Sequence, residues 1–165
     1  MLFRSDNNHL SHSFKVEIPN LELQQPVHIS TSLIARNIGS AGKFALSING
    51  QTPININTDA VTGNLMDAYA KASFYETAIN SATNTINLNY TFSTATTSAQ
   101  AWLDWFEVQG RRTLILPTQN QLPFRDWNSV GPNKIGEFVI NNTTSEIEVW
   151  EVSEPLQPIK MNLSI

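Results

Sequence analysis

Apolar and polar residues alternate with a period of two through much of this chain, and that pattern decides its fold class. Phe14, Val16 and Ile18 alternate with Lys15 and Glu17; Val27, Ile29, Thr31, Leu33 and Ala35 repeat the pattern, as do Phe44, Leu46 and Ile48. The clearest case is 85–93, with Ile86, Leu88, Tyr90 and Phe92 on one face and Asn87, Asn89 and Thr91 on the other. Successive side chains of a strand point to opposite faces, so each stretch predicts a strand with one buried side. Asn49-Gly50 follows directly on one of them, and both residues tolerate the positive φ of a type I′ hairpin turn. The returning arm is 51–57, where Pro53 points to a sheet edge because it cannot donate to a ladder.

From Ala60 to Ile79 the spacing of Leu65, Met66, Ala68, Tyr69 and Ala72 competes for a helix, and the favoured reading is a loop leading into a strand at about 72–79. Ala101 to Gln109 is almost wholly apolar, which predicts a central strand covered on both faces. Further strands are expected at 113–117, 121–125, 135–141, 146–152 and 158–163. Many short strands without a long helix predict an all-β fold, an antiparallel two-sheet sandwich of jelly-roll type, as a single domain over 1–165.

Composition narrows the function classes. A chain of 165 residues buries roughly 70% of its unfolded surface and needs no staples. Only 15% of residues are charged, against about 25% in an average soluble domain, and strands and turns tolerate this better than surface helices do. The net charge of -4 offers no basic stripe for nucleic acid. With no cysteine there is no disulfide, thiolate metal site or thiol nucleophile within these residues. No apolar run approaches the roughly 20 residues of a membrane-spanning helix. Met1 to Asp6 lacks the regions of a signal peptide, so the chain is expected either to be cytoplasmic or to be an excerpt beginning downstream of an export signal, and Met161 to Ile165, still alternating, reads as cut close to a next segment.

Clusters that carry chemistry elsewhere are weak here. His9 and His12 stand three apart, a spacing that serves a metal on a helix but fails on a strand or loop, and His28 is the only third imidazole. Asn55, Asn57 and Asp59 begin like a calcium loop, but Ala60 and Met66 stand where glycine and the closing glutamate belong. No metal or other cofactor is expected. Asp104 and Glu107 are expected on opposite faces of their strand, which gives no pair of acids for glycoside hydrolysis. Ser11 and Ser13 beside His12 are too close in sequence to form a triad. Sequons at Asn89, Asn142 and Asn162 arise readily in a chain this rich in Asn and Thr. Trp102 and Trp105, three apart, are expected on opposite faces, packed in the core or against a neighbouring domain, and Trp150 is expected in the core. Trp127, in a polar loop, is the candidate exposed ring and ligand contact.

The second half also carries a resemblance. Ala101-Trp102-Leu103-Asp104-Trp105-Phe106-Glu107-Val108, then Arg111-Arg112, then Gln121-Leu122-Pro123-Phe124-Arg125-Asp126, then Val149-Trp150-Glu151-Val152-Ser153-Glu154-Pro155-Leu156-Gln157-Pro158 resembles the β-domain that precedes the catalytic domain in gingipain-type cysteine peptidases. It is most similar to the sortases of the type IX secretion system of Bacteroidota, whose domain carries a Leu-Asp-Tyr-like strand, an arginine pair and a Trp-Asp-Val-Thr-Asp-Pro-like segment. Trp105 stands in the Tyr position, and Glu151, Ser153 and Glu154 replace the usual acidic and hydroxyl residues.

That family's Cys-His pair lies in a later domain, and no residue here matches it. The resemblance therefore implies a non-catalytic accessory module of an exported protein at the cell surface or outer membrane. Its partners would be the neighbouring peptidase domain, secretion-system proteins or substrate C-termini. Trp102, Leu103, Trp105, Phe106 and Val108 would make a central strand anchoring both sheets. Arg111 and Arg112 would close its end by pairing with Asp104, Glu107 or backbone carbonyls, Arg125 being a further candidate ion-pair partner of Asp104, while Pro155 and Pro158 would stiffen an exit strand and fix its direction toward the next domain. The rival readings are a carbohydrate-binding module and, third, a surface-fibre adhesin.

Overall fold

The alternating segments at 14–17, 27–35, 44–48 and 85–93 are all strands. A computed structural model describes residues 3–5, 10–95, 97–118, 121–126, 129, 131–144 and 146–163. Its first eight strands are β1 (Phe3–Ser5), β2 (Ser11–Glu17), β3 (Val27–Arg36), β4 (Gly42–Ile48), β5 (Ile54–Thr58), β6 (Lys71–Ile79), β7 (Thr85–Thr94) and β8 (Gln100–Gln109). They form two four-stranded sheets, ordered β1-β8-β3-β6 and β2-β7-β4-β5, and every pairing is antiparallel. This interleaved order is that of a jelly roll. The all-β sandwich expected from the alternation is thus observed, and its strands all lie within the first 109 residues.

The buried halves of the strands make one core. Val27, Ile29, Leu33 and Ala35 of β3 face Phe44 and Leu46 of β4 and Ile86, Leu88, Tyr90 and Phe92 of β7. Phe14 of β2 meets Phe106 of β8 with ring centroids 5.2 Å apart, joining the two sheets. The Asn49-Gly50 turn has φ of 50° and 73°, and the Gln51 N–H donates to the Ile48 carbonyl at 3.0 Å, as a type I′ hairpin requires. Pro53 leads into β5, an edge strand of its sheet.

A polar knot closes one end of the sandwich. Buried Asn37, just past β3, donates from Nδ2 to Thr58 Oγ1 at the end of β5 across 2.9 Å, and its carbonyl accepts the Val61 N–H at 2.7 Å. The 61–70 segment is a loop, because side chains there compete for the backbone. The Asn64 N–H donates to Thr62 Oγ1 at 3.1 Å and the Met66 N–H to Asn64 Oδ1 at 3.0 Å, turns that replace a first helical turn.

The chain divides into two compact units, Met1–Arg112 and Thr113–Ile165. In the second, β9 (Leu114–Ile115) pairs in parallel with β10 (Ile140–Asn141), and β11 (Trp150–Glu151) pairs antiparallel with β12 (Ile159–Lys160). The strands expected at 113–117, 135–141, 146–152 and 158–163 thus shrink to two residues each, and 121–125 holds none. Pro117, Pro123, Pro132, Pro155 and Pro158 remove ladder donors, and Asn133 and Asn142 turn the chain left-handed with φ of 60° and 59°. Pro155 and Pro158 lie in the connection between β11 and β12, not in an exit strand. Trp150 is 48% exposed and not in a core. Among the described residues no helix is long and apolar enough to cross a membrane.

Candidate functional site

Strand β8 is where the alternation breaks. Ala101 and Leu103 are buried, Asp104 and Trp105 are both exposed, and Phe106 and Val108 return to the inner face. The pairing with β3 gives the reason: Trp105 stands opposite Ser32 and Leu103 opposite Leu33, so Asp104 is an extra residue in a β-bulge. One inserted residue reverses the phase of all that follows it. Trp102 and Trp105 therefore share the outer face of the sheet, which corrects the expectation that they point to opposite sides. Trp105 is 43% exposed and Trp102 is partly buried. The same shift sets Asp104 and Glu107 on that face together, where opposite faces were expected. β8 itself is covered on its inner face only, because its apolar run divides into four inward residues and two outward tryptophans.

The bulge is braced from both sides. On the inside the Thr31 hydroxyl donates to the Trp105 carbonyl at 3.1 Å. On the outside the Ser32 hydroxyl donates to the Asp104 carboxylate at 3.2 Å.

The strand register builds the outer face in rows. Trp105, Ser32 and Phe74 stand in one row across β8, β3 and β6. The Trp105 and Phe74 rings close over the small serine with centroids 5.7 Å apart and planes at 54°, and Phe74 is 58% exposed. Trp102, Ile34 and Ala72 form the next row. Beyond it the Arg36 guanidinium lies 4.3 Å over the centre of the Tyr69 ring, and the Tyr69 hydroxyl donates to Gln100 Oε1 at 3.2 Å. Tyr69 is 64% exposed. On the other side of the Trp105 row stand Glu107, Ser30 and Glu76, with the Ser30 hydroxyl donating to Glu76 at 3.3 Å.

This arrangement offers large ring faces, those of Trp105, Phe74 and Tyr69 held by neighbours, beside carboxylate and amide oxygens that accept hydrogen bonds. Asp104, Glu107 and Glu76 share the face, but they stand on an open sheet surface. Glycoside hydrolysis needs two acids facing each other across a scissile bond.

The remaining sequence candidates fall elsewhere. The Arg111 carbonyl accepts the Glu22 N–H at 2.8 Å and Arg112 bridges Leu21, which ties the backbone of the arginine pair to the segment after β2. Asp104 is engaged by Ser32. Arg125 is exposed in the second unit, where Trp150 Nε1 donates to Glu148 at 3.3 Å. A hydrogen bond from Lys160, together with its charge, holds the Glu148 carboxyl below the usual range. His9 and Trp127 lie outside the described residues. His12 is partly buried on the inner side of β2 rather than solvated, and His28 is exposed on β3 of the other sheet. Asn55 and Asn57 face solvent on β5, with Asp59 3.9 Å from Lys71. Phe74 and Tyr69 were not anticipated as site residues. The alternation at 72–79 could have placed Phe74 opposite Tyr75, but not beside Trp105.

No family model matches the chain, and no curated protein matches it. Among solved structures it is similar to dimeric latent PorU from Porphyromonas gingivalis, with a TM-score of 0.49 and 20% identity over 64% of this chain. The match spans 10% of that protein's chain.

Proposed function

We propose that this chain is a non-catalytic accessory module of an exported, surface-associated, gingipain-like peptidase of type IX secretion, and that the outer face of β8, β3 and β6 is its contact surface. The observation that carries the contact surface is the exposed ring of Trp105, turned outward by the Asp104 bulge to stand beside Phe74 and on the same face as Trp102. Exposed aromatic area of this kind does nothing for the sandwich core and marks an interaction site. The peptidase context rests on the resemblance of the motifs between Ala101 and Pro158. The lack of any cysteine supports leaving the chemistry to another domain, with this module supporting or orienting it.

Two experiments test the reading. The purified chain is expected to hydrolyse neither peptide nor glycoside substrates. Turnover that co-purifies with the protein and disappears in Glu76→Gln or Asp104→Asn overturns the non-catalytic assignment. The gene is expected to encode a domain with a Cys-His pair beyond Ile165, and its absence overturns the peptidase context.

A further inference from the structure

We infer that the outer face of β8, β3 and β6 binds a neutral polysaccharide of β-linked hexopyranoses, whose rings stack on Trp105, Phe74 and Trp102. This deepens the reading of that face as a contact surface and names its occupant. Three observations carry it.

The first is the pairing of ring and acceptor. A pyranose presents an apolar C–H face and a rim of hydroxyl donors, and the sheet offers both complements. The Trp105 and Phe74 rings meet over Ser32, Trp102 follows one row along, and Asp104, Glu76 and Gln100 stand at their margins. Rows along a strand are about 7 Å apart, so the rings from Trp105 to Tyr69 follow the direction of an extended chain.

The second is what the face would do to other occupants. An apolar protein surface laid on these rings would take the Ser30–Glu76 and Ser32–Asp104 carboxylates out of water without replacing their lost hydrogen bonds. Sugar hydroxyls replace them. A polyanion is disfavoured by the same acids and by the net charge of -4.

The third is preorganisation. Phe74 fixes Trp105, while Arg36 and Gln100 fix Tyr69, so little side-chain freedom is lost when a ligand binds.

The test is affinity electrophoresis of the intact chain in native gels containing hydroxyethylcellulose, xyloglucan or galactomannan, with heparin as the polyanionic comparison. At least one neutral polymer is expected to retard the chain and heparin is not. Trp105→Ala and Phe74→Ala should each weaken the retardation about tenfold or more while keeping the β-rich circular dichroism, and Asn55→Ala on the other sheet should not. Two separate ring variants keep the test open if one of them fails to fold. Retardation by none of the three neutral polymers overturns the inference, as does retardation that survives both ring variants. Sedimentation of the free chain supplies the remaining outcome. Self-association that Trp105→Ala abolishes, without any polysaccharide binding, makes this face a protein interface and also overturns it.

Discussion

The Thr31 hydroxyl donates to the Trp105 carbonyl across 3.1 Å, so a buried residue of β3 holds the backbone of the residue whose ring faces solvent on β8. The bond satisfies an oxygen beside the bulge, where the ladder is interrupted. Thr31→Val keeps the shape and removes the donor that braces the Trp105 carbonyl from inside. The expected loss is about 1–3 kcal/mol in denaturant unfolding, with weakened tryptophan-face binding alongside it. An unchanged midpoint would mean that the bulge does not depend on this bond.

Asp104 is the surplus residue. With it removed, Ala101, Leu103, Phe106 and Val108 alternate strictly with Trp102, Trp105 and Glu107. Deletion of Asp104 is therefore expected to leave a folded sandwich with both tryptophans outside. Deletion of Leu103 leaves the same alternation but sets the Asp104 carboxylate at the buried position opposite Leu33, which should unfold the chain. Circular dichroism and thermal melts of the two deletions check this, and equal damage from both would contradict the bulge assignment.

Gly42 lies against the buried Asn37. A Cβ at that glycine would stand 2.8 Å from Asn37 Nδ2, the atom that donates to Thr58. Gly42→Ala is expected to destabilise by about 1–3 kcal/mol through overpacking. Combined with Asn37→Ala it should add far less than its own cost, because the clash has gone. Simple additivity in a double-mutant cycle would show that the two residues do not touch.

These residues also show what the sequence could and could not disclose. β2, β3, β4, β5 and β7 and the Asn49-Gly50 turn were legible because their signals are local: a period of two, and two residues that accept positive φ; β6 was read beside a competing helix, and β8 from its apolar run as a strand covered on both faces. The position of Trp105 was not legible in the same way. A strand of unbroken alternation sends residues three apart to opposite faces, and only the pairing of Ser32 with Trp105 and Leu33 with Leu103 reveals the inserted residue. The sequence did hold a trace of it, since an acid at 104 interrupts an apolar run and Leu103 and Phe106 both belong inside. Phe74 joins Trp105 through a contact across two strands, which no local pattern encodes. In Thr113–Ile165 alternation overstated the strands, because prolines and left-handed asparagines cut the ladders short.

Burial raises the Tyr90 phenol above its ordinary value, with Thr31 pulling it the other way to a smaller extent. The hydroxyl comes near Thr31 without a hydrogen bond of standard geometry. Below about pH 10 the phenol is neutral whether the chain is folded or not, so its contribution is constant. As the pH rises further the unfolded chain loses this proton first, and stability falls until the folded value is passed. Tyr90→Phe should remove that part of the alkaline loss, read as a smaller drop in unfolding free energy between about pH 8 and about pH 10.5 than in the parent chain. An identical drop in both proteins would place the hydroxyl in contact with water.

The bulge puts Trp105 outside the core, and paired denaturation curves of Trp105→Ala and Phe44→Ala measure this. Phe44 is fully buried, and its truncation is expected to cost about 3–5 kcal/mol through lost burial and a cavity. Trp105→Ala, from a ring already 43% exposed, should cost less than half as much. A loss from Trp105→Ala equal to that from Phe44→Ala would return the tryptophan to the core and contradict the account of the outer face.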